Sequence, residues 1–276
     1  MNRYLKLVNF ELSRFSRLYY TLIALIVVVQ LIPFLYFVNR YKKEVTNHMN
    51  LGETNERILQ VLDGKYSLLQ VIESFSFNFS LMLGIAVLGI YVFFIWYRDW
   101  FLKNAFVYRL LTLPTGRLNV FLAKLTTIVL LVLGLVVLQY GLLYFENAMI
   151  QVLVPLDFRS DLNVYQAIES SHLEILLPSS LLQFFLNYGI GIVTVCVIFT
   201  AILFERSFKK IGIVYGVLYV GVALLLFIMP MIIQLANERI LLYTNELNIS
   251  MILIGIVIGA GSMLLSRYLL RYKITV

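Results

Sequence analysis

The chain has 276 residues, of which 61% are hydrophobic and only 13% are charged, and its mean hydropathy is +0.89. An ordinary globular domain is about 25% charged, so this composition excludes a soluble protein and predicts an integral membrane protein. The formal net charge of +7 does not indicate a nucleic-acid partner, because basic residues in a membrane chain first report its orientation.

The chain begins with an amphipathic segment. Within residues 1–18, Leu5, Val8, Leu12 and Phe15 form a stripe at helical spacing, and basic residues occupy the rest. This pattern predicts an interfacial helix leading into the membrane. The apolar run that follows is too long for the core of a secretory signal and has no small-x-small cleavage site, so we expect it to remain as an anchor.

Six apolar runs are long enough to cross about 30 Å of hydrocarbon at about 1.5 Å of rise per residue. We predict spans at about residues 20–38, 79–97, 125–145, 182–204, 211–233 and 249–265. The sequence therefore predicts an all-α polytopic membrane protein with a single transmembrane domain over residues 1–276. Two small-xxx-small pairs predict close helix packing within the chain, with a dimer contact as the alternative: Gly212 with Gly216, and Gly255 with Gly259.

Basic residues are distributed unevenly among the segments between these spans. The N-terminal segment, the insert 98–124, the link 205–210 and the tail from residue 266 hold 15 basic and 3 acidic residues, whereas the other three loops hold 7 basic and 12 acidic. The positive-inside rule therefore predicts a multi-pass protein of the cell membrane with both termini and the insert in the cytoplasm. Apolar patches in the outer loops, at 58–62, 68–72, 149–156 and 173–177, predict short helices there.

The insert 98–124, which we call the coupling segment, is too charged to cross a bilayer and too rich in Trp, Phe and Leu to be a solvated loop. A helix over residues 99–112 brings apolar side chains near one side, and Pro114 and Gly116 end it. Such a segment indicates a partner surface. The alternative is an amphipathic helix that lies on lipid headgroups.

Motifs that carry catalysis are absent from the sequence. It has no G-x-x-x-x-G-K-[ST] phosphate loop, so we do not expect this chain to bind ATP itself. His48 and His172 lie in different outer loops and no paired Cys/His set exists, so we predict neither a metal site nor a catalytic site.

The predicted spans contain no Asp, Glu, Lys, Arg or His, which disfavours an ion-coupled carrier. Their milder polar residues either bond between helices or line a path for an amphipathic substrate. The candidates for lining such a path are Tyr91, Asn187, Tyr188, Tyr215 and Tyr219.

The layout and the coupling segment together resemble the membrane subunits of type-2 ATP-binding-cassette (ABC) exporters. In that family a basic-acidic pair, a leucine-rich stretch with proline and arginine, and a lysine at the start of the third span follow one another. This sequence has Arg98-Asp99, Leu110 to Pro114, Arg117 and Lys124 in those places. It departs from the family in lacking the glycine midway through the loop and in the short outer loop 234–248.

The resemblance implies a permease subunit of an ATP-driven exporter, without enzymatic activity of its own. Two cytoplasmic ATPase subunits would hold ATP and Mg, and a second membrane subunit would complete the pathway. The coupling segment would seat in an ATPase groove as the coupling helix. The docking residues that follow from the resemblance are Arg98, Asp99, Trp100, Phe101, Phe106, Arg109, Leu110, Pro114 and Arg117.

Apolar, aromatic and uncharged spans favour an amphipathic substrate such as a peptide, an antibiotic or a lipid-like compound. Two other classes of function stay open. The chain is alternatively a non-transport membrane sensor or assembly protein whose basic loop docks a cytoplasmic partner. A membrane enzyme acting on lipid is disfavoured by the missing acid-base groups.

Overall fold

The computed structural model describes residues 3–101, 110, 116–236 and 243–274, except for the side chains of 235, 236, 244 and 245. It is 89% helical, and these ranges contain no β-strand. A helix pairs its backbone N–H and C=O groups within one segment, which the water-free interior of a membrane requires. The prediction of an all-α fold is therefore confirmed.

Eight α-helices lie in the described ranges. In chain order they are α1 (Arg3–Asn50), α2 (Asn55–Val61), α3 (Leu68–Glu73), α4 (Phe75–Phe101), α5 (Arg117–Leu153), α6 (Val164–Glu169), α7 (Leu181–Ala236) and α8 (Thr244–Tyr268). Short 3-10 turns cover Leu156–Phe158 and His172–Ile175, and a π-helical turn covers Leu269–Lys273.

Five of these helices, α1, α4, α5, α7 and α8, are long and apolar enough to cross a membrane. Their outward faces carry large apolar side chains, such as Met82, which is 70% exposed, and Val257, which is 71% exposed. Apolar surface on this scale is unfavourable in water and favourable in lipid. The chain is thus a membrane-embedded helical protein.

Helix α1 continues without interruption from Arg3 to Asn50. The predicted interfacial helix over 1–18 and the predicted span from about residue 20 therefore lie on one continuous helix. Residues 17–20 contain no Gly or Pro to end a helix. The amphipathic N-terminal segment therefore continues into the apolar run as one helix. An interfacial position for the first turns stays a prediction.

The predicted outer helices near 58–62 and 68–72 are confirmed as α2 and α3. The patch at 149–156 instead lengthens α5, which ends at Leu153 and not near residue 145 as predicted. Glu146 therefore lies inside α5 with 0% of its surface exposed, although the sequence predicts it at the start of an outer loop. Glu146 does not end the helix, because its side chain has a hydrogen-bond partner in Gln30.

Helix α7 is interrupted at Lys209, whose φ of 54° and ψ of −129° are not helical. A Cβ atom at Gly212 would lie 2.2 Å from the carbonyl oxygen of Phe204, and one at Gly216 would lie 3.0 Å from that of Ala201. Residues 181–208 and 210–236 therefore form a helical hairpin that turns within the predicted link 205–210. The within-chain packing predicted for the first glycine pair is confirmed.

The chain packs as two compact units. Unit 1 comprises Met1–Phe15, Leu88–Leu130 and Ser180–Val276, and unit 2 comprises Ser16–Val87 and Leu131–Ser179. Unit 1 contains the α7 hairpin, α8 and the described ends of the coupling segment. Unit 2 contains a large buried apolar cluster contributed by α1, α4, α5 and the short outer helices.

The close approach at Gly212 predicts a specific sensitivity of the hairpin. Gly212→Ala places a methyl group against the backbone oxygen of Phe204, so the two halves of α7 must separate. We expect a loss of about 1–3 kcal/mol in the free energy of unfolding, measured by denaturant unfolding in detergent. The control is Gly221→Ala, because nothing lies within 4 Å of a Cβ there. Equal losses in the two variants would contradict the hairpin packing.

Candidate functional site

The described ends of the coupling segment are the C-terminal turn of α4 and the first two turns of α5. Residues 98–101 end α4, and residues 117–124 begin α5. We call these the two roots of the coupling segment. Of the predicted docking residues, Phe106, Arg109 and Pro114 lie outside the described residues.

A buried lysine on the second root forms the centre of a network of ion pairs. Lys124 has 0% of its surface exposed, and its ammonium donates to Glu11 Oε1 at 2.8 Å and to the carbonyl oxygen of Ile95 at 2.9 Å. It also donates to Asp99 Oδ2. The three N–H groups of the ammonium are thus matched by three acceptors. They join the N-terminal helix, the end of α4 and the start of α5.

Two arginines complete the network from its edge. Arg14 NH1 lies 2.7 Å from Asp99 Oδ1, and Arg98 NH2 lies 2.7 Å from Glu11 Oε2. Each buried carboxylate is therefore shared between Lys124 and one arginine. Three cations face two carboxylates, so charge in this interior is nearly balanced and every carboxylate oxygen has a donor. Such pairing is what offsets the large desolvation cost of burying ions.

Aromatic rings pack beside the lysine of the network. Lys124 Nζ lies 5.2 Å from the ring centroid of Trp96, within cation–π range. Trp96 and Phe121 both pack edge-on against Phe199 of α7, at 5.6 and 5.5 Å between ring centroids. Because aromatic rings exclude water, the ion pairs are screened less than surface pairs would be.

The turn of the α7 hairpin packs on the first root. The Arg206 guanidinium lies 4.9, 5.6 and 5.0 Å from the ring centroids of Tyr97, Trp100 and Phe101. The Tyr97 hydroxyl donates to the neighbouring Glu205 carboxylate. A planar guanidinium stacks readily on aromatic faces, so Arg206 joins the hairpin turn to the last turn of α4.

The C-terminal end of the described chain is attached to the second root. Arg117 NH1 donates to the carbonyl oxygens of Leu270 and Ile274, at 2.6 and 3.0 Å. The last carbonyls of a helix lack partners within the helix, and arginine is a suitable donor for them. Leu110 adds an apolar contact at this level, because it is buried with Leu7, Val8, Val120 and Ala123.

The described members of the predicted docking set differ in exposure and in their contacts, and their docking role stays a prediction. Asp99 is 0% exposed and Leu110 is 5% exposed, so both lie among side chains of their own chain. The Arg98 side chain is 12% exposed and pairs with Glu11, and Arg117 binds the C-terminal carbonyls. Trp100 is half-buried. Phe101 is 74% exposed and is the predicted docking residue that the described surface presents most openly.

The predicted path residues lie in unit 1 but in different settings. Tyr91 is 2% exposed and stacks on Phe15 at 3.7 Å between centroids, beside the ion-pair network. The Tyr219 hydroxyl lies 2.7 Å from Ser262 Oγ, a bond between α7 and α8. Tyr215 is exposed and packs edge-on against Phe208 within the hairpin. The half-buried Tyr188 packs beside Phe184 on the same helix as Asn187. Tyr91 and Tyr219 thus make internal contacts within unit 1, and a path lined by these five residues stays a prediction.

Among the charged residues of this site, the sequence interpretation missed four: Glu11, Arg14, Glu205 and Arg206. A signal existed for Glu11, because it lies three residues after Val8 and four before Phe15, on the apolar stripe of an otherwise basic segment. A single acidic residue on an apolar face indicates a buried partner. The partner itself lies 113 residues away at Lys124, and no local pattern reveals it.

Comparison of the chain with protein-family models, with curated proteins and with solved structures returned no match. Within the described ranges, no group of three or more His, Cys, Asp or Glu side chains is arranged to hold a metal ion. The argument for function therefore rests on the roots of the coupling segment and their internal attachments.

Breaking the network at its centre is expected to destabilise the protein strongly. Lys124→Met leaves the buried Glu11 and Asp99 without their shared cation, which should cost about 3–5 kcal/mol in the free energy of unfolding. The measurement is denaturant unfolding of the purified chain in detergent. Lys6→Met is the matched control, because Lys6 is an exposed lysine of α1 in the same unit. A loss no larger than that of the control would show that the network contributes little stability.

Proposed function

We propose that the chain is the membrane-spanning permease subunit of an ATP-driven exporter for an amphipathic substrate. The complete transporter would also contain a second membrane subunit and two separate ATPase subunits that bind ATP and Mg. The proposal includes six spans in the cell membrane, cytoplasmic termini and docking of the ATPases on the coupling segment. It combines the resemblance stated above with the way in which the roots of this segment are attached.

The observation that carries the proposal is the buried network around Lys124. A helix that is pushed by a partner transmits motion only if its ends are attached firmly to what must move. Lys124 joins both roots of the coupling segment, through Asp99 on α4, to Glu11 on α1. Displacing one root without the others would separate buried opposite charges, which costs several kcal/mol. The three elements are therefore expected to move together.

Two further attachments support the same mechanism. Arg206 ties the α7 hairpin to the first root, and Arg117 ties the C-terminal turn to the second. Every element that the charge distribution predicts on the cytoplasmic side of unit 1 thus contacts a root of the coupling segment. A sensor or assembly protein needs only an accessible docking face. Such converging attachments are more useful to a protein that transmits force.

The count of six spans is supported by the interruption of α7. Its 56 residues would extend about 84 Å as one straight helix, far more than the roughly 30 Å of a bilayer core. Division at Lys209 gives two helices of about 40 Å each, either of which is long enough to cross. With α1, α4, α5 and α8 this makes six, with the hairpin turn on the same side as the coupling segment.

The predicted topology is tested by labelling of single cysteines with a membrane-impermeant maleimide in intact cells. Cys196, the chain's native cysteine, is buried and is replaced by Ala in all variants. We expect Glu169→Cys to be labelled, and Gly116→Cys and Lys210→Cys to react only after the membrane is permeabilised. Labelling of Gly116→Cys in intact cells would overturn the docking proposal, because the coupling segment would then face outward.

ATPase docking is tested by affinity purification of the tagged full chain from its native membranes. Phe101→Asp places a charge on the exposed apolar face at the first root, so we expect loss of a co-purifying ATPase that carries a phosphate loop. Phe75→Asp is the matched control at the other end of α4. Each phenylalanine is largely exposed and stacks on the ring four residues away, at 5.9 Å for Phe101 and 5.8 Å for Phe75.

Three outcomes of this experiment are informative. Loss of the ATPase in Phe101→Asp alone supports docking at the first root. Retention of the ATPase in both variants would show that this root is not the docking face. A cytoplasmic partner that co-purifies without any ATP-dependent transport of a fluorescent amphipathic probe in inside-out vesicles would favour the sensor or assembly protein.

A further inference from the structure

A second buried polar cluster lies in unit 2 and consists of Gln30, Ser80 and Glu146, whose exposed fractions are 1%, 0% and 0%. Gln30 Nε2 donates to Glu146 Oε1 at 3.0 Å, and Ser80 Oγ donates to Gln30 Oε1 at 3.0 Å. Gln30 belongs to the predicted first span, and Ser80 lies at the start of the second. Glu146 therefore lies at the level of the spans, where ionisable groups are rare and usually functional.

The Glu146 carboxyl has no counter-charge in the part of the chain that the structure describes. Its Oε2 atom is buried and makes no hydrogen bond to any described residue. The titratable group that interacts with it electrostatically is the Tyr66 phenol. Burial raises the pKa of Tyr66 to about 12, and a phenol carries no positive charge in either protonation state.

The surroundings of the carboxyl are apolar. Leu143 and Ile150 lie one helical turn before and after Glu146, Phe34 lies one turn after Gln30, and all belong to one buried apolar cluster. Burying an unpaired carboxylate in such surroundings costs so much free energy that the group binds a proton instead. A neutral hydroxyl without an acceptor costs only about 1–3 kcal/mol, which is far less than a bare charge.

We propose that Glu146 is a proton-binding site of the membrane bundle. Its Oε2 takes one proton from water as the chain folds, and returns it to water when unit 2 opens around α5. No other reactant is needed, because the carboxylate and the proton simply combine to the neutral acid. The inference is independent of the proposed transport function, since it rests only on residues of unit 2. It assigns to this chain a direct link between pH and conformation.

Infrared spectroscopy of the purified full chain in phosphatidylcholine vesicles tests the protonation state directly. We expect wild type near neutral pH to show a C=O band of a protonated carboxyl group that shifts in D2O. This band should be missing from Glu146→Gln. It should be present in Glu169→Gln, in which an exposed glutamate of the same unit is changed. Identical spectra for wild type and Glu146→Gln would overturn the proposal.

The pH dependence of unfolding gives an independent measurement. The unfolded chain releases the proton above the ordinary glutamate pKa of about 4.3, whereas the folded chain keeps it. From there to neutral pH, the folded-to-unfolded ratio of wild type should fall about tenfold per pH unit relative to Glu146→Gln. Parallel profiles for the two proteins would overturn the proposal. If Glu146→Gln does not fold, the wild-type spectrum decides, and the absence of a D2O-sensitive carboxyl band refutes the site.

Discussion

The structure of unit 1 depends on one buried ammonium group. Lys124 has no exposed surface, and its three hydrogen-bond acceptors come from two other helices, with Glu11 on α1 and both Ile95 and Asp99 on α4. Burying the lysine or either carboxylate without its partners would cost a large desolvation free energy. The positions of the three helix segments therefore depend on one another. The aromatic rings of Trp96, Phe121 and Phe199 pack beside this site and shield it from solvent or lipid.

In this arrangement the charged residues that border the coupling segment have a different role from its apolar residues. Arg98 and Asp99 are among the predicted docking residues, and together with Lys124 they form ion pairs that hold the roots together. In the proposed function, docking would use exposed apolar surface, of which Phe101 is the described example. In the proposed exporter, separating attachment from docking has a physical advantage, because a partner can press on the apolar face without competing for the internal ion pairs.

The buried acid of unit 2, Glu146, has different surroundings from the buried acids of unit 1. Glu11 and Asp99 each form ion pairs with the same three cations, Arg14, Arg98 and Lys124. In contrast, Glu146 contacts the Gln30 amide and lies among apolar side chains. The buried acids of the two units thus differ in their partners, and Glu146 is proposed to be neutral because the neighbours of a carboxyl group set the free-energy cost of its charge. Opening of unit 2 would thus be linked to proton release. In unit 1, displacing one root would instead separate buried opposite charges.

The sequence by itself determined the membrane class and the all-α fold, and it placed at least one apolar run within each of the five long helices that the structure describes, because hydrophobic periodicity and run length are local properties. It also indicated that Gly212 and Gly216 form a packing face. Only the tertiary structure decided which side chains meet. It paired Glu11 with Lys124 and Gln30 with Glu146, carried α5 past residue 145, and turned Asp99 and Leu110 inward. These outcomes rest on contacts between residues far apart in the chain, whose free energies depend on burial and on partners, and spacing along one segment carries no information about either.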